Sequence, residues 1–102
     1  MSIEFADSAR RHFVEDRLDE RTVRAAIAHP LWVAMVDPDD PSVAPPAETR
    51  PPTILMVCKR HPGALDDDLI ELLVSMPGPG VMRIFHAMHL SGIWRDYWNT
   101  YR

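Results

Sequence analysis

The sequence predicts an α+β fold: two N-terminal helices, a mainly antiparallel sheet of three to five strands, and a C-terminal aromatic helix. Three observations carry that expectation. Two apolar runs, Leu69–Met76 and Val81–Met88, flank Pro77-Gly78-Pro79-Gly80, whose prolines fix φ and whose glycines reach positive φ, so the pair reads as a β-hairpin. Downstream, Trp94, Tyr97, Trp98 and Tyr101 recur at i, i+3, i+4 and i+7, a single stripe on a helix that Ser91 can cap; the stripe should lie on the hairpin. Two helical patterns precede the long strands and one follows them, with no helix alternating between those strands, which separates α+β from βαβ architecture.

In chain order, Ser2–Phe5 has the length of a short edge strand. Asp7 or Ser8 can cap a first helix on which Phe5, Ala9, Phe13 and the aliphatic stem of Arg17 repeat every four residues. Asp19 caps a second helix, Glu20 to about Ala28, with Val23, Ala26 and Ile27 on one side. His29-Pro30 ends it, because proline disfavours the helical conformation in the residue before it. Leu31–Val36 alternates as a strand and stops at Asp37-Pro38. Residues 37–52 hold six of the ten prolines and few core-forming side chains, so they read as a solvated loop. Asp37, Asp39 and Asp40 in it lack the glycine and distal glutamate of a calcium loop. Thr53–Arg60 is a second long strand, closed by the turn residues His61-Pro62-Gly63.

The whole, 1–102, reads as one globular domain: 46% of its residues are hydrophobic and 25% charged. There is no apolar run of about 18 residues and no basic-then-apolar N-terminus, so neither a membrane span nor a secretory signal is expected, and the cytoplasm of a bacterium is the expected location. The lone Cys58 falls in an apolar run and reads as core. A formal charge of −4 runs against general nucleic-acid affinity, which draws on phosphate neutralisation. The arginines nonetheless cluster in the first quarter of the chain, Arg10, Arg11, Arg17, Arg21 and Arg24, which leaves room for a local basic face.

Chemistry concentrates near the C-terminus. In an extended strand His86 and His89 face opposite sides and cannot chelate one ion together, so no metal site is expected. Regular alternation puts Met82, Ile84, His86 and Met88 on one face, and Val81, Arg83, Phe85, Ala87 and His89 on the other. Arg83 and His89 then share a surface that Arg95 or Arg102 of the last helix can reach. Arginine, histidine and tyrosine in one cleft suit phosphodiester cleavage: histidine moves a proton near neutral pH, arginine stabilises charge on the phosphate, and Tyr97 or Tyr101 can orient the 2′-hydroxyl or stack on a base. The structural alternative makes His86 a hydrogen-bonded core residue, His12 a boundary histidine and the aromatic stripe simply core. No nucleophile elbow, Walker loop, C-x-x-C or dinucleotide fingerprint is present.

Asp7-Ser8-Ala9-Arg10-Arg11-His12, a second helix ending in Ala28-His29-Pro30, and Ile84-Phe85-His86-Ala87-Met88 with a tyrosine soon after resemble small BrnT-like toxins, relatives of the RelE-type ribonuclease toxins. The likeness is nearest to an actinobacterial branch in which an Asp-x-Ala-x-x-His start and an Ile-His-Ala-Met ending recur. Met88 stands where BrnT-type toxins often carry arginine. The resemblance implies a toxin of a type II toxin–antitoxin pair, cutting messenger RNA during translation and neutralised by a small DNA-binding antitoxin. Its site would comprise Arg83, His89, Arg95 and Tyr97 as catalytic groups, with His12, Lys59 and Arg102 as RNA contacts and no cofactor. The competing expectation is a non-catalytic interaction module with the same fold, binding a protein partner or a second copy of itself.

Overall fold

A computed structural model describes residues 2–36 and 53–102. The expected solvated loop at 37–52 lies outside the described residues. Five strands, β1 (Ser2–Phe5), β2 (Pro30–Val36), β3 (Thr53–Lys59), β4 (Leu69–Gly78) and β5 (Val81–His89), form one sheet in the order β1-β5-β4-β3-β2. Neighbours from β5 to β2 are antiparallel, while β1 runs parallel to β5, so the sheet is mixed. A 3-10 turn (Asp7–Arg10), α1 (Phe13–Asp16) and α2 (Glu20–Ile27) precede β2, and α3 (Gly92–Tyr101) closes the chain. The α+β prediction holds. No helix among the described residues is long and apolar enough to cross a membrane.

The sheet is covered on both faces, which explains the unbroken buried run Leu69–Val74 in the central strand β4. On one face Met56, Cys58, Ile70, Leu72, Val74, Ile84 and Ala87 pack with Ala9, Leu18, Val23 and Ala26. On the other, Trp94 packs with Leu55, Leu73 and Phe85, and Trp98 with Val57 and Leu69. The aromatic stripe therefore reaches beyond the hairpin to β3. Its two tryptophans are buried, whereas Tyr101 is 62% exposed.

Local chemistry accounts for the element ends. Asp19 accepts from the Thr22 N–H at 2.7 Å, and that bond holds its carboxyl below the ordinary aspartate range. The hairpin turn is the two-residue Pro79-Gly80, with φ +70° at Gly80, a conformation that glycine adopts without steric cost. The expected first helix is broken. A 3-10 turn is followed by a single α turn that ends at Arg17 in the left-handed region (φ 54°), so Arg17 caps this segment instead of extending an apolar stripe. Its carbonyl and that of Asp16 both accept from the Arg60 guanidinium, which fixes the corner. Ser91 sits at the N-cap of α3 but makes no side-chain cap bond; its backbone N–H donates elsewhere, as described below.

Cys58 is fully buried, and burial pushes its thiol up to about 12 from 9.0. The folded thiol stays protonated where the unfolded one ionises, so this group's contribution to stability is complete below 9.0 and is lost as pH rises toward about 12. Iodoacetamide in mildly alkaline buffer is expected to leave the native protein unmodified and to label it fully in denaturant, with mass spectrometry as the readout. Rapid native labelling would show that the β3 core opens readily.

Candidate functional site: a buried carboxyl and two histidines

Glu71 lies in the middle of the buried β4 run, 1% exposed, on the face covered by α3. Burial without a hydrogen bond costs an amide or hydroxyl on the order of 2–7 kcal/mol, and an ionised carboxylate far more. Both oxygens of Glu71 are satisfied. The Ser91 N–H donates to Oε1 at 2.6 Å, and Oε2 lies 2.7 Å from His86 Nε2. Glu71 thus accepts the N–H of the N-cap residue itself, the part that a residue three positions into the helix plays in a capping box, and anchors an imidazole from the neighbouring strand.

His86 faces Glu71 because β5 carries a bulge. Leu73 pairs with His86 and Val74 with Ile84, leaving Phe85 as an extra residue opposite β4. Side-chain parity shifts by one residue there. Ile84 and Ala87 both enter the core under α1 and α2, while Phe85 packs with Trp94 and His86 turns to the same side. The 3-10 turn runs beside this bulge: the Ala6 N–H donates to the Ile84 carbonyl at 2.9 Å and Ser8 Oγ to the Phe85 carbonyl at 2.6 Å. His12, immediately after the turn, is thereby placed with its ring centroid 6.2 Å from that of His86, at an interplanar angle of 71°. Each imidazole has a carboxyl at one nitrogen: Glu71 at His86 Nε2, and Glu15 Oε2 at 3.6 Å from His12 Nδ1. Both rings keep solvent access, 33% for His12 and 25% for His86. With Nε2–H of His86 donating to Glu71, its Nδ1 holds a lone pair, an assignment made from the hydrogen-bond network.

The expected constellation of Arg83, His89, Arg95 and Tyr97 does not assemble. Arg83 pairs with Ser75 on the α3 side, whereas the bulge sends His89, paired with Ile70, to the opposite side. There His89 meets Arg60, lies 3.7 Å from Asp68, and donates its backbone N–H to Asp16 at 3.0 Å. Arg95 donates to the Asp66 carbonyl at 2.7 Å. Tyr97 stacks among Trp32, Trp94 and Tyr101, with centroids 6.1, 5.5 and 4.6 Å away. Arg102 lies over Trp98 at 4.3 Å, and Lys59 lines a cleft at β2 and β3. Of the seven expected residues, His12 is brought beside His86. Arg83 precedes it by three residues on the same side of β5, a distance of roughly 10 Å along an extended strand. Sequence reasoning missed Glu71 altogether. Its signal was a single carboxyl within an otherwise apolar run.

The fold and site define an α+β protein in which a buried carboxyl orients one of two adjacent histidines. Comparison with protein-family models, with curated proteins and with solved structures gives no match to the chain in any of the three. Among the described residues, no group of three or more histidine, cysteine or acidic side chains is arranged to hold a metal ion.

Proposed function

We propose that the protein is a toxin-like endoribonuclease in which His12 and His86 serve as a general acid–base pair. The carrying observation is the contact between two solvent-accessible imidazoles, one of them held by a buried carboxyl. In the reaction proposed, Nδ1 of His86 takes the proton of an RNA 2′-hydroxyl. The 2′-oxygen attacks phosphorus, the bond to the 5′-oxygen breaks, and His12 protonates that leaving oxygen, giving a 2′,3′-cyclic phosphate and a 5′-hydroxyl end. The two rings are close enough to share one phosphodiester, since each needs only hydrogen-bond reach of about 2.6–3.2 Å. Arg83, on the same side of β5, supplies positive charge for a flanking phosphate. The toxin resemblance of the sequence extends the reading to a partner antitoxin and to messenger RNA as substrate.

Controlled expression in a bacterial host, with growth followed and RNA 5′ ends mapped, tests the proposal. Growth arrest with new 5′-hydroxyl ends is expected from the parent, and neither from a His12→Gln, His86→Gln double variant. Folded, soluble parent protein that leaves growth and RNA unchanged would refute it.

A second reading, the interaction module, is favoured by strand β2. This terminal strand has no charged residue, and Leu31, Val33 and Met35 on it are 45%, 49% and 66% exposed. Natural sheet edges are usually guarded by charge, so an edge strand that carries none and pairs on one side alone among the described residues is suited to pairing with a partner strand.

A further inference from the structure

We infer that the protein self-associates through β2, two copies pairing edge to edge and antiparallel about a two-fold axis at Val33 to give one continuous sheet. The inference names the partner for the edge-strand reading given above, on which it rests. It is separate from the two-histidine chemistry, since β4 and β3 lie between β5 and β2.

The two ends of the sheet differ in how they meet solvent. At one end β1 has four residues, carries Glu4 and gives its Ile3 carbonyl to the Arg24 guanidinium at 3.3 Å, while Arg10 and Arg24 stand over Phe5. A short strand ringed by charge discourages the addition of another. At the other end β2 has 7 residues, none charged, and pairs on one side alone among the described residues. In an antiparallel ladder successive residues turn their N–H and C=O to opposite edges, so every second residue of β2 directs its backbone groups away from β3. A further antiparallel strand satisfies them.

The residues of β2 complement their own reverse. Pro30 has no N–H to give, and Val36 is 2% exposed, its flank already covered, so the stretch open to pairing is 31–35, with Val33 at its centre. Val33 and Met35 lie opposite Met56 and Ile54, on the α2 side, where Leu31, at the register shift, lines the cleft beside Ala25 and Ala28. Trp32 and Ala34 lie opposite Val57 and Leu55, on the α3 side. With the axis at Val33, Leu31 of each copy meets Met35 of the other and Val33 meets its own copy, so the exposed apolar side chains of both join in one stripe. On the other side Trp32 of each copy meets Ala34 of the other, large against small in both places. No like charges are brought together along the strand. Strands this short bury less than the ~800 Å² per partner of a standard interface, so the dimer forms reversibly, in the micromolar range.

Sedimentation velocity from about 1 μM to 1 mM should show the parent passing from monomer to dimer. Val33→Lys, which sets two ammonium groups face to face at the axis, should stay monomeric throughout with an unchanged circular dichroism spectrum. Val33→Cys should form a covalent dimer under mild oxidation, because residues directly opposite in an antiparallel pair have Cα atoms about 4.5–5.5 Å apart, within disulfide reach. Leu31→Cys, set against Met35, should not, and Cys58 is buried and gives no such product in the parent. A parent that stays monomeric would overturn the inference, as would a Val33→Lys variant that still dimerises or equal cross-linking of the two cysteine variants. In a monomeric parent, hydrogen exchange of the β2 amides separates this failure from that of the edge-strand reading. Rapid exchange leaves the edge to a different protein, whereas protection of every amide removes that reading too.

Discussion

Cleavage of single-stranded RNA by the His86→Gln variant is expected to fall by about 10²–10⁴-fold, the range over which a positioned general acid or base contributes. Glutamine keeps most of the side-chain volume and can still meet Glu71 with its amide N–H, so the Ser91 bond and the fold should survive while the proton acceptor is lost. His12→Gln should cost a similar factor by removing the group that protonates the leaving oxygen. The double variant should be little worse than the worse single one, because two groups acting as a unit are non-additive. A substrate with a 2′-deoxy sugar at the scissile position should be inert, since the attacking oxygen is then missing. If either single variant retains parental activity, the acid–base assignment fails for that residue.

The elements of this fold are legible in the sequence because each rests on local signals. The Asp19 cap, the proline after α2 and the apolar run around Cys58 all act within a few residues of themselves and appear where expected; the hairpin turn falls within the expected Pro77–Gly80 but is shorter, since β4 runs on through Gly78. The site is not legible, and one residue explains most of the difference. Strict alternation along Val81–His89 unites Arg83 with His89; the extra residue at Phe85 reverses the parity after it, and no glycine marks the bulge. What sets the bulge lies far away in the chain, in the turn whose Ser8 bonds the Phe85 carbonyl across a separation of 77 residues. Glu71 was hidden for a related reason. A glutamate in an apolar run is compatible with a solvent-facing position at a sheet edge, and only the strand order puts β4 at the centre with helices on both sides. Arg17 shows the same limit at the other end, since its left-handed backbone sits where α1 meets β5 and the Arg60 side chain bonds its carbonyl from 43 residues away.

Glu71→Ala is expected to destabilise the protein by about 3–5 kcal/mol, the cost typical of removing one member of a buried polar or ionic pair. Three effects combine. The Ser91 N–H at the start of α3 loses its acceptor, His86 loses the group that orients its ring, and a cavity opens beneath the aromatic helix. Glu71→Gln should be milder, about 1–2 kcal/mol, because the amide oxygen still accepts from Ser91 and the amide nitrogen can donate to His86 only if Nε2 gives up its proton. That forced tautomer separates structure from chemistry. Under the proposed mechanism the lone pair then moves from Nδ1 to Nε2, where it faces the protein, so Glu71→Gln should lose RNA cleavage far out of proportion to its modest loss of stability. Urea denaturation of the parent, Glu71→Ala, His86→Ala and the double variant gives the coupling between the two side chains as a double-mutant cycle. A coupling energy near zero would mean that the 2.7 Å contact does not hold the ring in solution, and the case for His86 as an oriented base would fall with it.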